Sequence, residues 1–426
     1  VMELAQFNDL LNCAVNNQDA QQRIEAGTQY MNILKSEQKI WLELCMQLIE
    51  QNQSACGIAA IVLYKNLGNS DDSNPLIKTD IDYVIQLLQR ILVIVAQCHQ
   101  FSSQLAIAVG HIAQFLIRHE CDISIVFEFI TQAIDQNSQQ LTSNSLNILR
   151  MICGINCKRL SKYAEAILNI IINLQTNDAE INFRIAACCL KIISESCWVI
   201  EGNPFSDSVE QLCHLFIAKL SQLQTSKYYL KCLAEFDEAM EGSSLAFSYI
   251  GEQILALVTE LLESEDIKNV DSGLMLLRSV YDQADDLRFT EEQQILVDDL
   301  VFKSFKLFML IDDEYKLKIL QQPDFNVPDD QNHIQAAISS VMFSVAYDID
   351  FVKKILQLAQ QEPESTQRAY AIIMLLGLTF GQDTVVDQET QQEFAQLALD
   401  QLQSNDPSVL LRCAVLFRNI FELSEF

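Results

Sequence analysis

Along this chain apolar residues return at three and four positions, in runs of about 12 to 18 residues broken by short polar turns. Leu42, Cys45, Met46 and Ile49 form one such stripe, and Ile254, Leu257, Val258, Leu261 and Leu262 form another. This spacing gives a helix one buried face. The turns Asn52-Gln53-Ser54, Thr176-Asn177-Asp178 and Ser404-Asn405-Asp406 separate helices and predict stacked antiparallel pairs. The six prolines, Pro75, Pro204, Pro323, Pro328, Pro363 and Pro407, all fall between apolar runs, where a fixed φ and a missing N–H do least harm. With 11 glycines the chain also lacks the material for many tight hairpins, so helices are the expectation.

The turns repeat. Asp178-Ala-Glu-Ile-Asn-Phe-Arg184, Glu362-Pro-Glu-Ser-Thr-Gln-Arg368 and Asp406-Pro-Ser-Val-Leu-Leu-Arg412 each place an acidic residue six positions before an Arg and then open an apolar stretch containing Ala. Residues 178 and 362 lie 184 positions apart, four units of 46, and 362 and 406 lie 44 apart. That period is the one of HEAT-type helix pairs. Asp178 and Asp406 are placed to accept from the free N–H groups of the following helix. The Arg is placed to reach a carboxylate of a neighbouring repeat and build a ladder. Weaker copies open at Gln53-Ser54 before Ile58 to Leu67, at Gln100 to Ser103 before Leu105 to Ile117, and at Glu265-Asp266 before Val270 to Val280. The predicted fold class is therefore all-α: a HEAT-repeat, right-handed superhelical solenoid of about ten antiparallel helix pairs, one domain over residues 1–426. Between Leu310 and Gln331 the rhythm stops, which predicts a loop at 311–330 inserted within one pair and emerging on one face as a binding loop.

Composition narrows the function. Acidic residues number 57 against 28 basic, a net charge of −29, so nucleic acid would be repelled and a basic protein partner attracted. The 13 cysteines sit mostly on apolar faces, as Cys45, Cys153, Cys188 and Cys189 do, with no CxxC; this is the usage of a reducing compartment. Val1-Met2-Glu3-Leu4 has no signal-peptide character, and the longest apolar candidate, around Ile91 to Ala96, is too short to span a membrane, so a soluble intracellular protein is expected.

No catalytic motif stands out. The chain has no GxxxxGK[ST], GxGxxG, GxSxG or HExxH. Of His99, His111, His119, His214 and His333, only His119-Glu120-Cys121 groups ligand types tightly, and zinc wants four ligands, so these read as polar residues at a helix end. The expectation is a binding protein with no catalytic residues, cofactor or metal.

Several segments resemble the importin-β (karyopherin-β) family in order and spacing. Asp406-Pro-Ser-Val-Leu-Leu-Arg-Cys-Ala-Val-Leu-Phe-Arg-Asn-Ile-Phe-Glu-Leu423 is similar to the tenth-repeat turn and second helix, and Arg368 to Asp383 to the second helix of the preceding repeat. Asp266 to Asp282 is similar to the seventh-repeat helix. Arg23-Ile-Glu-Ala-Gly27 and Ala59 to Leu67 resemble the N-terminal module, which would occupy 1–70. The resemblance implies the N-terminal half of a nuclear import receptor found in cytoplasm, nucleus and nuclear pore. Its implied partners are Ran GTPase in its GTP form, Phe-Gly (FG) repeat nucleoporins, and importin-α or cargo held mainly by the other half. Ran would contact the second helices of the first repeats, at Lys65 and Asn66, and an acidic loop in the eighth repeat, at Asp312, Asp313, Glu314, Asp329 and Asp330. Here that loop carries Lys316 and Lys318 between its acidic residues and lacks the family's Trp. The grooves for Phe-Gly segments would lie between first helices, at Ile130, Ile167 and Leu168. A HEAT scaffold for a phosphatase or vesicle-coat complex is the alternative.

Overall fold

The computed structural model describes residues 2–69, 74–97, 100–197, 201–241, 245–282 and 289–307, with scattered positions between 392 and 413. Among the described residues there are α-helices and two short 3-10 turns and no strand. The described helices follow one another two by two along the chain. These are α1 (Leu4–Asn16) with α2 (Ala20–Ser36), α3 (Gln38–Glu50) with α4 (Cys56–Leu67), α5 (Ile81–Ala96) with α6 (Ser102–Arg118), and α7 (Ser124–Asp135) with α8 (Gln139–Cys153). There follow α9 (Ala164–Asn173) with α10 (Ala179–Cys197), α11 (Val209–Leu223) with α12 (Tyr229–Glu241), α13 (Leu245–Leu262) with α14 (Ile267–Asp282), and then α15 (Glu291–Leu307). The chain is an all-α array of HEAT type, and the weaker repeat copies at 53–67, 100–117 and 265–280 coincide with α4, α6 and α14.

The chain divides into two compact units, Val1–Cys232 and Leu233–Phe426. In the first, each second helix packs on its own first helix, and α4, α6, α8 and α10 also pack on one another in succession. In the second, α13 packs on α14, and α15 packs on both.

The repeat is written in the hydrogen bonds. First helices begin at residues 4, 38, 81, 124, 164, 209, 245 and 291, steps of 34 to 46 residues. Side-chain bonds between distant parts of the chain fall at the same separation. Tyr83 Oη donates to Glu43 Oε2 at 2.9 Å, 40 residues away, and Asn144 Nδ2 donates to Ser102 Oγ at 3.0 Å, 42 residues away. Ser279 Oγ donates to Asp237 Oδ1 at 2.8 Å, again 42 residues away.

Local chemistry fixes the helix ends. Asp19 Oδ1 accepts from the Gln21 N–H at 2.8 Å and caps α2. Thr290 and Gln293 exchange backbone and side-chain bonds at the start of α15, at 3.0 and 3.2 Å, as a capping box does. Asn52 closes α3 at φ 50°, a left-handed conformation Asn tolerates, and the Gln53 N–H returns to the Leu48 carbonyl at 3.0 Å. Asp178 caps α10 as expected, its Oδ1 accepting from the Ile181 N–H at 2.9 Å.

The expected Arg ladder is different at the described turn. Arg184 pairs with Glu180 of its own helix, Nη2 to Oε1 at 3.4 Å, because the carboxylate one turn back is nearer than any in the next repeat. Acceptors carry the link between repeats instead: Asp178 Oδ2 takes a bond from Gln139 Nε2 at 2.6 Å, and Glu180 Oε1 takes one from Ser143 Oγ at 2.6 Å. The turns at 362–368 and 406–412 lie outside the described residues.

Among the described residues one apolar helix exceeds the stretch around Ile91 to Ala96 that the sequence offered as the longest membrane candidate. Leu245–Leu262 has 18 residues and a mean hydropathy of 1.4, enough by length and composition to cross a membrane. It behaves as a core helix: half of it is buried, it bends at Ile250 (φ −130°, ψ 25°), and Glu252 and Glu260 interrupt it.

A groove between the first helices of the fourth and fifth pairs

The chain just before α7 and the chain just before α9, in consecutive repeats, are tied to each other. Asp122 sits just before α7, where its Oδ1 accepts from Ser124 Oγ at 2.8 Å. The same oxygen accepts from Tyr163 Oη at 2.8 Å and from Lys162 Nζ at 2.7 Å, both immediately before α9. The Tyr163 hydroxyl in turn accepts from the Ile123 N–H at 3.0 Å. The Lys162 ammonium, then the Ser124 and Tyr163 hydroxyls, hold the Asp122 carboxyl well below the usual carboxylate range. Burial, the largest cause, pushes the Tyr163 phenol up.

This clamp brings two rings together. Phe127 and Tyr163 stack with centroids 5.0 Å apart and planes 17° from parallel. Over them lies an open cavity of about 460 Å³, lined by Ser124, Phe127, Glu128, Thr131 and Gln132 of α7 and by Tyr163 and Ala166 at the start of α9. Its wall is mostly apolar, with polar groups at the rim: a shape and chemistry suited to one aromatic or aliphatic side chain and the backbone beside it. Among its lining residues Ser124, Glu128, Thr131 and Tyr163 bring polar groups to an otherwise apolar slot.

Two of the three residues expected for a groove here lie deeper. Ile130 and Ile167 have no exposed surface and belong to the core; Leu168 is partly exposed, and none of the three lines the cavity. The cavity on these two helices has Phe127, Thr131, Tyr163 and Ala166 among its lining residues. The signal that could have found them is the repeat itself: Tyr163 lies 41 residues after Asp122, one repeat away, so the start of α9 must face the start of α7.

The other anticipated residues are spread out. Lys65 is exposed in the last turn of α4. Asn66 is half-buried, and its Nδ2 donates to Tyr30 Oη at 3.1 Å and to the Val62 carbonyl at 2.7 Å, joining α4 to α2. Asp312, Asp313, Glu314, Asp329 and Asp330 lie outside the described residues. His119 ends α6 with its Nδ1 2.9 Å from the Phe115 carbonyl oxygen.

No family model matches the sequence, and no curated protein matches it. Solved structures do. Importin-β crystallised in ammonium sulfate superposes with a TM-score of 0.70 at 14% identity, over 98% of this chain and 51% of that one. Kap121p bound to Nup53p gives 0.70 at 14% identity, over 100% and 42%. Yeast importin-β, Kap95p, gives 0.61 at 12% identity, over 99% and 56%. At such identities the likeness is one of fold: this chain has the karyopherin fold along its length, and it spans about half the length of those proteins.

Proposed function

We propose that this chain is part of a nuclear transport receptor, and that the groove between α7 and α9 takes the phenylalanine of Phe-Gly nucleoporin segments. The observation that carries the reading is an open apolar slot between the first helices of neighbouring repeats, on a chain whose fold matches importin-β and the karyopherin Kap121p throughout. Kap121p bound to the nucleoporin Nup53p is among the matches, which supports a partner of that kind. In this reading RanGTP engages the second helices of the first pairs, near the exposed Lys65, and the acidic residues Asp312, Asp313, Glu314, Asp329 and Asp330. Importin-α or cargo binds mainly elsewhere in the receptor, and the protein moves between cytoplasm and nucleus. It works by surface complementarity and performs no chemical step.

The test is the binding of a fluorescent Phe-Gly peptide followed by anisotropy. Ala166 is exposed on the groove wall, and Ala166→Arg should weaken binding about tenfold or more, ~1.4 kcal/mol. A Ser-Gly peptide should not bind. Equal binding by both peptides, or by both proteins, overturns the groove assignment. Ran loaded with GTP should bind better than Ran loaded with GDP; failure of both the Ran and the Phe-Gly experiments leaves the scaffold for a phosphatase or vesicle coat as the better reading.

A further inference from the structure

A second surface lies on the second-helix side of the fifth and sixth pairs, away from the α7–α9 groove. Phe183 of α10 and Tyr228, just before α12, stack with centroids 5.5 Å apart and planes 13° from parallel. Three cations gather on these rings. Arg184 lies 5.4 Å from the Phe183 centroid, and Lys231 Nζ lies 5.1 Å from it. Lys227 Nζ lies 5.1 Å from the Tyr228 centroid. In a chain with 57 acidic and 28 basic residues, such a gathering runs against the bulk charge.

Among the described residues two other lysines cover rings, and both also hold a carboxylate from an adjoining repeat. Lys39 Nζ is 5.0 Å from the Tyr83 centroid and 3.2 Å from Asp80 Oδ2. Lys162 Nζ is 5.4 Å from the Tyr163 centroid and 2.7 Å from Asp122 Oδ1. The arrangement is ring, ammonium, carboxylate. At Lys227 and Lys231 the first two members are present, and among the described residues neither lysine makes an ion pair. The nearby acid is already engaged: Glu180 accepts from Ser143 Oγ at 2.6 Å, from Tyr228 Oη at 3.2 Å and from Arg184 Nη2 at 3.4 Å. Both lysines are exposed, with their rings beneath them as a fixed floor.

We infer that the Phe183–Tyr228 ring pair with Lys227 and Lys231 over it is a docking surface for an acidic peptide segment of a partner protein. The carboxylates of that segment complete the arrangement that Asp80 and Asp122 complete elsewhere in this chain. A cation held against a ring loses little further freedom on meeting its counter-ion, which favours pairing here over pairing with a free surface lysine. The net charge of −29 makes the surface selective, because the bulk field repels an acidic segment and the segment gains where local positive charge exceeds that field.

The bulk repulsion makes the experiment sharp. A fluorescein-labelled nonapeptide of alternating Glu and Asp is titrated with the whole chain and followed by anisotropy at low and physiological salt. Wild-type protein should bind it saturably, and the double variant Lys227→Gln, Lys231→Gln should bind it about tenfold more weakly. Lys227→Arg, Lys231→Arg should retain binding, and Lys39→Gln, at a lysine that already has its carboxylate, should bind like wild type. Thermal unfolding of each variant shows that it is folded. Absence of saturable binding by the wild type, or equal affinity in the Lys→Gln double variant, overturns the inference. So does binding confined to a phosphoserine peptide of equal charge.

Discussion

Tyr163 and Asp122 lie 41 residues apart in the chain and 2.8 Å apart in the fold, hydroxyl to carboxylate. Through that bond and the Ile123 N–H that the same hydroxyl accepts, the start of α9 is fastened to the start of α7. Ile123 has no exposed surface, so its N–H has no access to solvent. Tyr163→Phe keeps the ring stack but leaves that N–H without an acceptor, which costs about 1–3 kcal/mol. We expect a lower midpoint in urea unfolding with Phe-Gly affinity changed less than threefold. Tyr163→Ala, which removes the floor of the groove, should lose both. Because Asp122 is held below the usual carboxylate range in the folded protein, its contribution is present at neutral pH and disappears only as the pH falls through the lowered value.

Arg90 joins the second and third pairs. Its Nη1 donates to Glu43 Oε2 at 2.7 Å and its Nε to Glu50 Oε1 at 2.7 Å, while Tyr83 also donates to Glu43. The Arg90 bond, then those of Tyr83 and Gln47, depress the Glu43 carboxyl against the opposing effect of its partial burial. A depressed carboxyl stabilises the fold above its unfolded-state value and loses that contribution as acid protonates it. Arg90→Met should therefore destabilise by roughly 1 kcal/mol at neutral pH, since the network is partly exposed. The gap between variant and wild type should close as the pH is lowered through the carboxylate range, as read from urea midpoints at a series of pH values; a gap independent of pH would contradict this account.

Gly110 of α6 faces Met151 of α8, and a Cβ at Gly110 would stand 2.7 Å from the Met151 Cγ. In an isolated helix Gly→Ala stabilises by about 1 kcal/mol. Here the crowding reverses the sign, and we expect Gly110→Ala to destabilise by about 1–3 kcal/mol. Gly27, with nothing within 4 Å of its Cβ position, is the control: Gly27→Ala should raise the thermal midpoint.

The contrast between two helices shows where sequence reasoning stops. In α5 the apolar stripe Val84, Leu87, Leu88, Ile91, Leu92 and Val95 is the buried stripe, because a first helix presents one face to the core and the other to water. In α8 the run Thr142-Ser143-Asn144-Ser145 is polar throughout, yet each of these residues is at most 5% exposed. α8 is enclosed by α6, α7 and α10, so its polar side is buried as well: Ser102 and Ser103 meet Asn144, Glu180 meets Ser143, and Ser145 Oγ has no hydrogen-bond partner among the described residues. Ile130 and Ile167 likewise lie in the core, while Phe127 and Tyr163 line the groove.

The sequence by itself determined the helices, their caps and the repeat that stacks them, because spacing and capping depend on residues within a turn or two of each other. Which oxygen of which repeat meets which donor was decided only by the tertiary structure. A step of 34 to 46 residues varies by more than two helical turns from pair to pair, and side chains facing across repeats follow that step and not the helical period. Hence Arg184 finds Glu180 one turn back in its own helix, a local pairing, whereas only the packing between repeats placed Lys227 and Lys231 over their rings with a place for an acidic partner.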